Sequence, residues 1–402
     1  MTIDIIKKQL GLFVDPNLVP VAMLEHGTMV REKLISKLEQ SPEGMSFKDF
    51  MAFALYEPGV GYYSCGKEKI GQGGDFITAP ELGPFFAQAL AQPVTTYLQE
   101  HGGDILEFGA GKGTLAGDLL RTLEAKNLRP RNYFILELSA DLRAVQQEKL
   151  SQDYPDIVDS VQWLEELPQG FSGIVLANEV LDAMPVHQYS LDEQGSSERG
   201  LELNERGEIV WCSLPVSNPL KDYLNNTAGL PDFSSLPSPY YTEINAYSAI
   251  WLRSLSAMMT QGLVFLIDYG YSSKEYYHPQ RSKGTLRCYF RHYAHDDPLT
   301  LVGLQDVTAH VNFSEVAELA HAAGFAIKGY DSQASFLMQA GLLDLMSSTT
   351  ANNAQAQVLQ NQALKRLMSP GGMGEMFKVM VLGKAVEDDV LGCRVHDLRS
   401  QL

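Results

Sequence analysis

The residues able to do chemistry come in sets along the chain. The first is Glu107, two positions ahead of Gly109-Ala110-Gly111-Lys112-Gly113-Thr114, followed further on by Glu137. Glycines at this spacing permit backbone conformations closed to other residues and let a ligand lie against the main chain. A dinucleotide fingerprint looks similar, but its third position, counted from Gly109 and Gly111, is Thr114 here. A carboxylate at Glu107 pointing into the loop would repel a pyrophosphate, and it suits a ligand that carries a sulfonium or ammonium group and ribose hydroxyls. S-adenosylmethionine (SAM) meets that description better than NAD. Glu137 stands where an acid at the end of a second strand accepts hydrogen bonds from ribose hydroxyls. The second set is Asn178, Glu179 and Asp182, and the third is Asp268. These polar groups follow apolar strands, at the place where a transferred group would arrive. His310 is a candidate general base, although a lone histidine is more often structural. Each residue also has a blander reading: glycines that serve a turn, Glu137 as a solvated strand-end acid, Asn178 as a helix cap. The ordered occurrence of Glu107, the glycines and Glu137 together favours a ligand site.

The elements that must position these groups alternate. The apolar run Asp104-Ile105-Leu106-Glu107-Phe108 reads as a buried strand, and 115–123 as the helix that follows. Strands are predicted at 133–137, 161–164, 173–177 (the fourth) and 262–267 (the fifth), with helices at 141–150 and 244–258. Antiparallel strands at 324–327 and 377–382 close the set, separated by helical stretches at 335–346 and 354–367. Such alternation implies an α/β fold with a mostly parallel, doubly wound sheet, whose ligands lie at the carboxyl ends of the strands. Ahead of it, 1–84 reads as a helical extension ending in the polar loop Gly73-Gly74-Asp75-Phe76-Ile77-Thr78-Ala79-Pro80, where Asp75 and Thr78 are ligand candidates. A helix at 85–99 with a kink at Pro93 opens the core, which runs to 186. Residues 187–245 break the pattern and are expected to form an inserted, substrate-facing region, with strands at 186–191 and 208–213. The core resumes over 246–384 and contains a basic, aromatic loop at 271–300, a lid or partner-binding segment with Arg281, Arg287 and Arg291. The tail, 385–402, is expected to be loosely attached.

Bulk properties narrow the classes further. The chain has 402 residues, 45% of them hydrophobic and 20% charged, enough for one large α/β domain with additions or for two domains. A net charge of −18 argues against a free-standing nucleic-acid binder and suits either a basic partner or plain solubility. Cys65, Cys212, Cys288 and Cys393 lack metal-ligand spacing, so reduced thiols and no metal site are expected. No secretory core or membrane-length apolar run is seen, which makes the cytoplasm the expected location.

Taken together, the glycine loop, the Gly-Asp-Phe-Ile-Thr-Ala-Pro loop, Asn178 to Val186, Asp268-Tyr269-Gly270 and Asp306 to Phe313 resemble the MidA-like family of SAM-dependent methyltransferases, over about residues 28–384. The resemblance implies a Rossmann-like class I methyltransferase fold with a seven-stranded sheet, and SAM as cofactor. The mitochondrial branch of that family assists assembly of respiratory complex I. By that analogy the substrate is a protein, a complex I subunit dimethylated on arginine. Carried over, the cofactor set is Asp75, Thr78, Glu107, Gly109, Gly111, Glu137 and Asn178, the last of which also begins the acceptor side. The catalytic set is Glu179, Asp182, Asp268 and His310: Glu179 and Asp182 clamp the guanidinium, and Asp268 or His310 takes its proton. Two alternatives stand beside this one. The enzyme would methylate a small molecule or an RNA, or the chain would be a non-catalytic assembly factor that binds through 187–245 and 271–300.

Overall fold

Seven strands form the path of the main sheet: β1 (Asp104–Phe108), β2 (Tyr133–Leu136), β3 (Val161–Leu164), β4 (Phe171–Asn178), β5 (Met259–Tyr271), β6 (Ala326–Ser332) and β7 (Phe377–Lys384). In the computed structural model, which describes residues 2–15, 19–64, 77–227, 230–348 and 354–402, their order is β6-β7-β5-β4-β1-β2-β3, with Val311–Asn312 beside β5. The five strands from β5 to β3 run parallel, and β7 and β6 are antiparallel to their neighbours. β1 is buried along its whole length and β4 and β5 nearly so, as parallel strands covered on both faces must be. The fold is therefore the α/β, mainly parallel, Rossmann-like arrangement expected.

The chain divides into two compact units. One comprises Ile77–Asp182, Ile250–Ser272 and Val311–Leu402, and holds this sheet. Its helices α1 (Phe85–His101), α2 (Thr114–Ala125) and α3 (Ala140–Asp153) follow the predicted pattern, α1 continuing through Pro93 to His101. Ile105, Leu119, Ile135, Ile174, Phe265 and Val379 sit in its core with essentially no exposure. Each such side chain contributes about 1.5–3 kcal/mol by leaving water.

The other unit comprises Met1–Phe76, Ala183–Ala249 and Ser273–His310. Its sheet joins stretches distant in sequence: Met45–Ser46 pairs with Gly195–Leu203, which pairs with His187–Asp192 and Ile209–Leu214, and Tyr240–Ile244 lies beside His187–Asp192. The 187–245 stretch is thus bonded to the N-terminal residues rather than standing as a lone insertion. The 271–300 segment also differs from a plain loop. Arg287–Phe290 pairs with Tyr293–His295 and with Asp306–Thr308, and Tyr276, Tyr277, Cys288 and Phe290 are buried. Val30, Phe47, Phe50, Leu201 and Val307 form this unit's core. Among the described residues, no helix is long and apolar enough to cross a membrane.

The tail corrects the expectation of loose attachment. Val386, Val390 and Cys393 are buried in the core of the sheet-bearing unit. Leu398 N–H donates to Tyr330 O at 2.7 Å and Arg399 Nη1 to Ile327 O at 2.9 Å, so the tail covers the exposed edge of β6. Its polar composition hid three apolar anchors spaced along it. Truncation after Lys384 should lower stability by at least about 3 kcal/mol, read by thermal or urea unfolding; an unchanged transition would contradict this packing.

Candidate functional site

Register sets the site. Phe108 pairs with Leu136 on one side and Ala177 on the other, and Ala177 pairs with Leu266. The residues that follow these four rows, Gly109, Glu137, Asn178 and Ile267-Asp268, consequently share one edge of the sheet. The chain leaves β1 toward β2 on one side and β4 lies on the other, which makes this edge the crevice where open α/β sheets take ligands.

The cofactor side is built on the glycine loop. Gly109 and Gly111 take φ of 58° and 55°, left-handed values that cost other residues about 1 kcal/mol or more, and Gly109 is exposed. Gly113, also left-handed, caps the start of α2. Glu107, 3% exposed, accepts a 2.7 Å hydrogen bond from Tyr133 Oη. Burial lifts its carboxyl to about 7, the Tyr133 bond opposing and the charge of Glu137 adding. Glu137 follows β2, with Oε1 accepting from Ser139 N at 2.9 Å and Oε2 from Gln146 Nε2 at 3.0 Å. Thr78 leads into a short helical turn whose Glu81 accepts from Thr114 Oγ1, tying that segment to the start of α2. Asp75 lies outside the described residues.

On the acceptor side, Asn178 ends β4 and its Nδ2 donates to Glu179 Oε1 at 3.2 Å. Asn178 Oδ1 is buried and has no hydrogen-bond partner among the described residues. Glu179 N–H extends the β4–β5 ladder by donating to Ile267 O at 2.8 Å, and its backbone is left-handed at φ 55°. Such strain in a non-glycine residue costs on the order of 1–3 kcal/mol and clusters at functional sites. Asp268, 1% exposed, accepts Leu181 N–H at 3.0 Å and Asp182 N–H at 3.2 Å on Oδ2, and Tyr269 N–H at 2.9 Å on Oδ1. Burial, then the neighbouring charges of Asp182 and Glu179, push its carboxyl well above the usual range despite these amides. Glu179, Asp182 and Asp268 are thereby brought together.

His310 belongs to the other unit. Its Nδ1 lies 3.0 Å from Thr285 O, an acceptor only, so Nδ1 carries the proton, and its own N–H donates to Thr285 Oγ1 at 3.2 Å. Burial lowers its pKa to about 4, the Thr285 bond opposing. It is neutral at physiological pH and a weak base.

Sequence reasoning missed Gln146 and Glu81. Gln146-Gln147 reads as a solvated pair on a polar helix, and only the fold shows that Gln146 is wholly buried and Gln147 exposed. Trp163, at the end of β3, donates from Nε1 to Gln146 Oε1 at 2.9 Å.

A family model described as S-adenosyl-L-methionine-dependent methyltransferase matches residues 86–331, more than half of the chain. The chain belongs to this MidA-like methyltransferase family. The methyltransferase is also similar to a solved COG1565 superfamily member from Burkholderia thailandensis bound to S-adenosyl-homocysteine. The two are 37% identical, with a TM-score of 0.90 over 96% of this chain and 99% of that one. Among curated proteins it resembles the mitochondrial protein arginine methyltransferase NDUFAF7 of Danio rerio, 26% identical over 83% of this chain and 82% of that protein. The human protein of the same name is 25% identical over 83% and 79%.

SAM is the cofactor of the family, and the site suits it: a loop of left-handed glycines without side chains, acids beside it, and the buried Asn178 Oδ1 as an acceptor. Glu107 supplies a direct test of the electrostatics. Its folded pKa lies above its unfolded one, so between about pH 4.5 and pH 7 the folded protein holds a proton that the unfolded chain has lost, and stability falls as pH rises. The stability of the native protein relative to Glu107→Gln should drop by about 1–3 kcal/mol from about pH 5 to about pH 8, measured by urea unfolding. A constant or rising difference would contradict the buried, raised carboxyl.

Proposed function

We propose that the methyltransferase transfers methyl groups from SAM to an arginine guanidinium of a protein, a subunit of a respiratory complex I-like assembly. The observation that carries this is the cluster of Glu179, Asp182 and Asp268 after β4 and β5. Like charges held together in low dielectric repel, and an approaching cation relieves that repulsion. The curated relatives, named as protein arginine methyltransferases, point the same way.

In this reading Glu107 and Glu137 receive the ribose hydroxyls, Gly109 and Gly111 let the nucleoside approach the backbone, and Asp75, Thr78 and Asn178 complete the cofactor set. The bound cofactor supplies a methyl group activated by its sulfonium. Glu179 and Asp182 orient the guanidinium, which stays protonated at neutral pH, and share the charge that develops as one nitrogen attacks. A nitrogen–carbon bond forms, the carbon–sulfur bond breaks, and the nitrogen's proton passes to a carboxylate. The raised pKa of Asp268 suits it to receive that proton, whereas His310 is too weak a base.

Incubating a lysate of a deletion strain with labelled SAM and the purified enzyme should label a protein band that maps to methylarginine. Label confined to RNA or small molecules would overturn the substrate class, and no label with no SAM binding would leave a scaffold. Glu179→Gln should cut transfer to the identified arginine by about 100-fold or more with S-adenosyl-homocysteine binding retained; full transfer would remove the clamp.

A further inference from the structure

The side chain of Gln146, on α3, is fully buried and reaches the loop after β1, the acid after β2 and Trp163 of β3. Nε2 donates to Gly111 O at 3.0 Å and to Glu137 Oε2 at 3.0 Å, and Oε1 accepts from Trp163 Nε1 at 2.9 Å. Both donors and the acceptor of one amide are thus engaged. The orientation is not ambiguous: a carbonyl and a carboxylate only accept and an indole N–H only donates, so turning the amide over would set like against like at all three contacts. The fit is close as well. A Cβ at Gly113 would lie 3.6 Å from Gln146 Cβ and 3.4 Å from Leu150 Cγ, so the bare loop and α3 pack directly.

We propose that Gln146 is a positioning residue for the cofactor, an amide that fixes the glycine loop, Glu137 and Trp163 as one rigid receptor for the nucleoside. It touches no reacting atom. Its donors hold Gly111 and Glu137 in place, and its hydrogen bond to Glu137 Oε2, with that of Ser139 on Oε1, sets the plane of the carboxylate. A carboxylate accepts more bonds than these two, and a fixed plane aims it at the ribose hydroxyls. The rotamer entropy of Glu137 is then lost on folding rather than on binding, which tightens the complex. The inference rests on the reading of Glu137 as the acceptor of ribose hydroxyls.

The test is calorimetric binding of S-adenosyl-homocysteine and of its 2′,3′-dideoxyribose analogue to the full-length protein. Gln146→Met keeps the volume and removes all three bonds; Gln146→Glu keeps the shape and the acceptor for Trp163 while losing both donations. Each should weaken S-adenosyl-homocysteine about tenfold or more and reduce the preference over the analogue. A merely structural defect would weaken both ligands alike and leave the preference unchanged. Combining Gln146→Met with Glu137→Gln should weaken binding by less than the sum of the two single losses, because part of the effect of Gln146 passes through Glu137. Native-like affinity and preference in the Gln146 variants, equal loss for both ligands, or additive losses in the double variant would overturn the positioning role. If Glu137→Gln itself binds both ligands as the native protein does, the reading of Glu137 fails, an outcome separate from the others.

Discussion

The acceptor side depends on one buried carboxylate. Asp268 takes the backbone N–H groups of Leu181, Asp182 and Tyr269, and a carboxylate so deeply buried would be costly without such donors. These bonds join the segment that leaves β4 to the end of β5. The ladder bond from Glu179 N–H to Ile267 O then holds Glu179 in its left-handed backbone. On top of burial, Asp182 and Glu179 raise the pKa of Asp268, and that repulsion is the physical reason to expect a cationic acceptor.

The cofactor side follows the same logic with a neutral group at its centre. Gln146 joins the loop after β1 to the acid after β2 and the tryptophan of β3, as Asp268 joins the ends of β4 and β5. Both hubs lie inside the sheet-bearing unit, and both work on residues that strand register has already set along one edge. Apolar burial fixes where the strands end; buried polar groups fix how the residues beyond those ends are presented.

Much of this was legible in the sequence because the signals are local. The apolar runs of β1, β4 and β5 announce parallel strands, the glycines at 109 and 111 announce left-handed backbone, and acids at strand ends point to the edge they occupy. What was hidden depends on distant partners. Gly195–Leu203 looks polar, yet its Glu198 is buried against His187 at 2.6 Å, and its partner Met45–Ser46 lies far back in the chain. The strand Arg287–Phe290 sits in a basic stretch that reads as loop, and the tail's buried Val386, Val390 and Cys393 are diluted by charged neighbours. Gln146 cannot be told from Gln147 until α3 has a face.

The claim most open to measurement is that Asp268 holds the acceptor side independently of the cofactor side. In Asp268→Asn an NH2 group must face either the Tyr269 amide or those of Leu181 and Asp182, so one set of bonds is lost. Hydrogen exchange, followed residue by residue, is predicted to speed up by about tenfold or more at one of the two sets, Tyr269 or Leu181 with Asp182, with the amides of 109–114 and the affinity for S-adenosyl-homocysteine unchanged. Unaltered exchange at all three of Leu181, Asp182 and Tyr269, or loosening of the acceptor and cofactor sides together, would contradict the account.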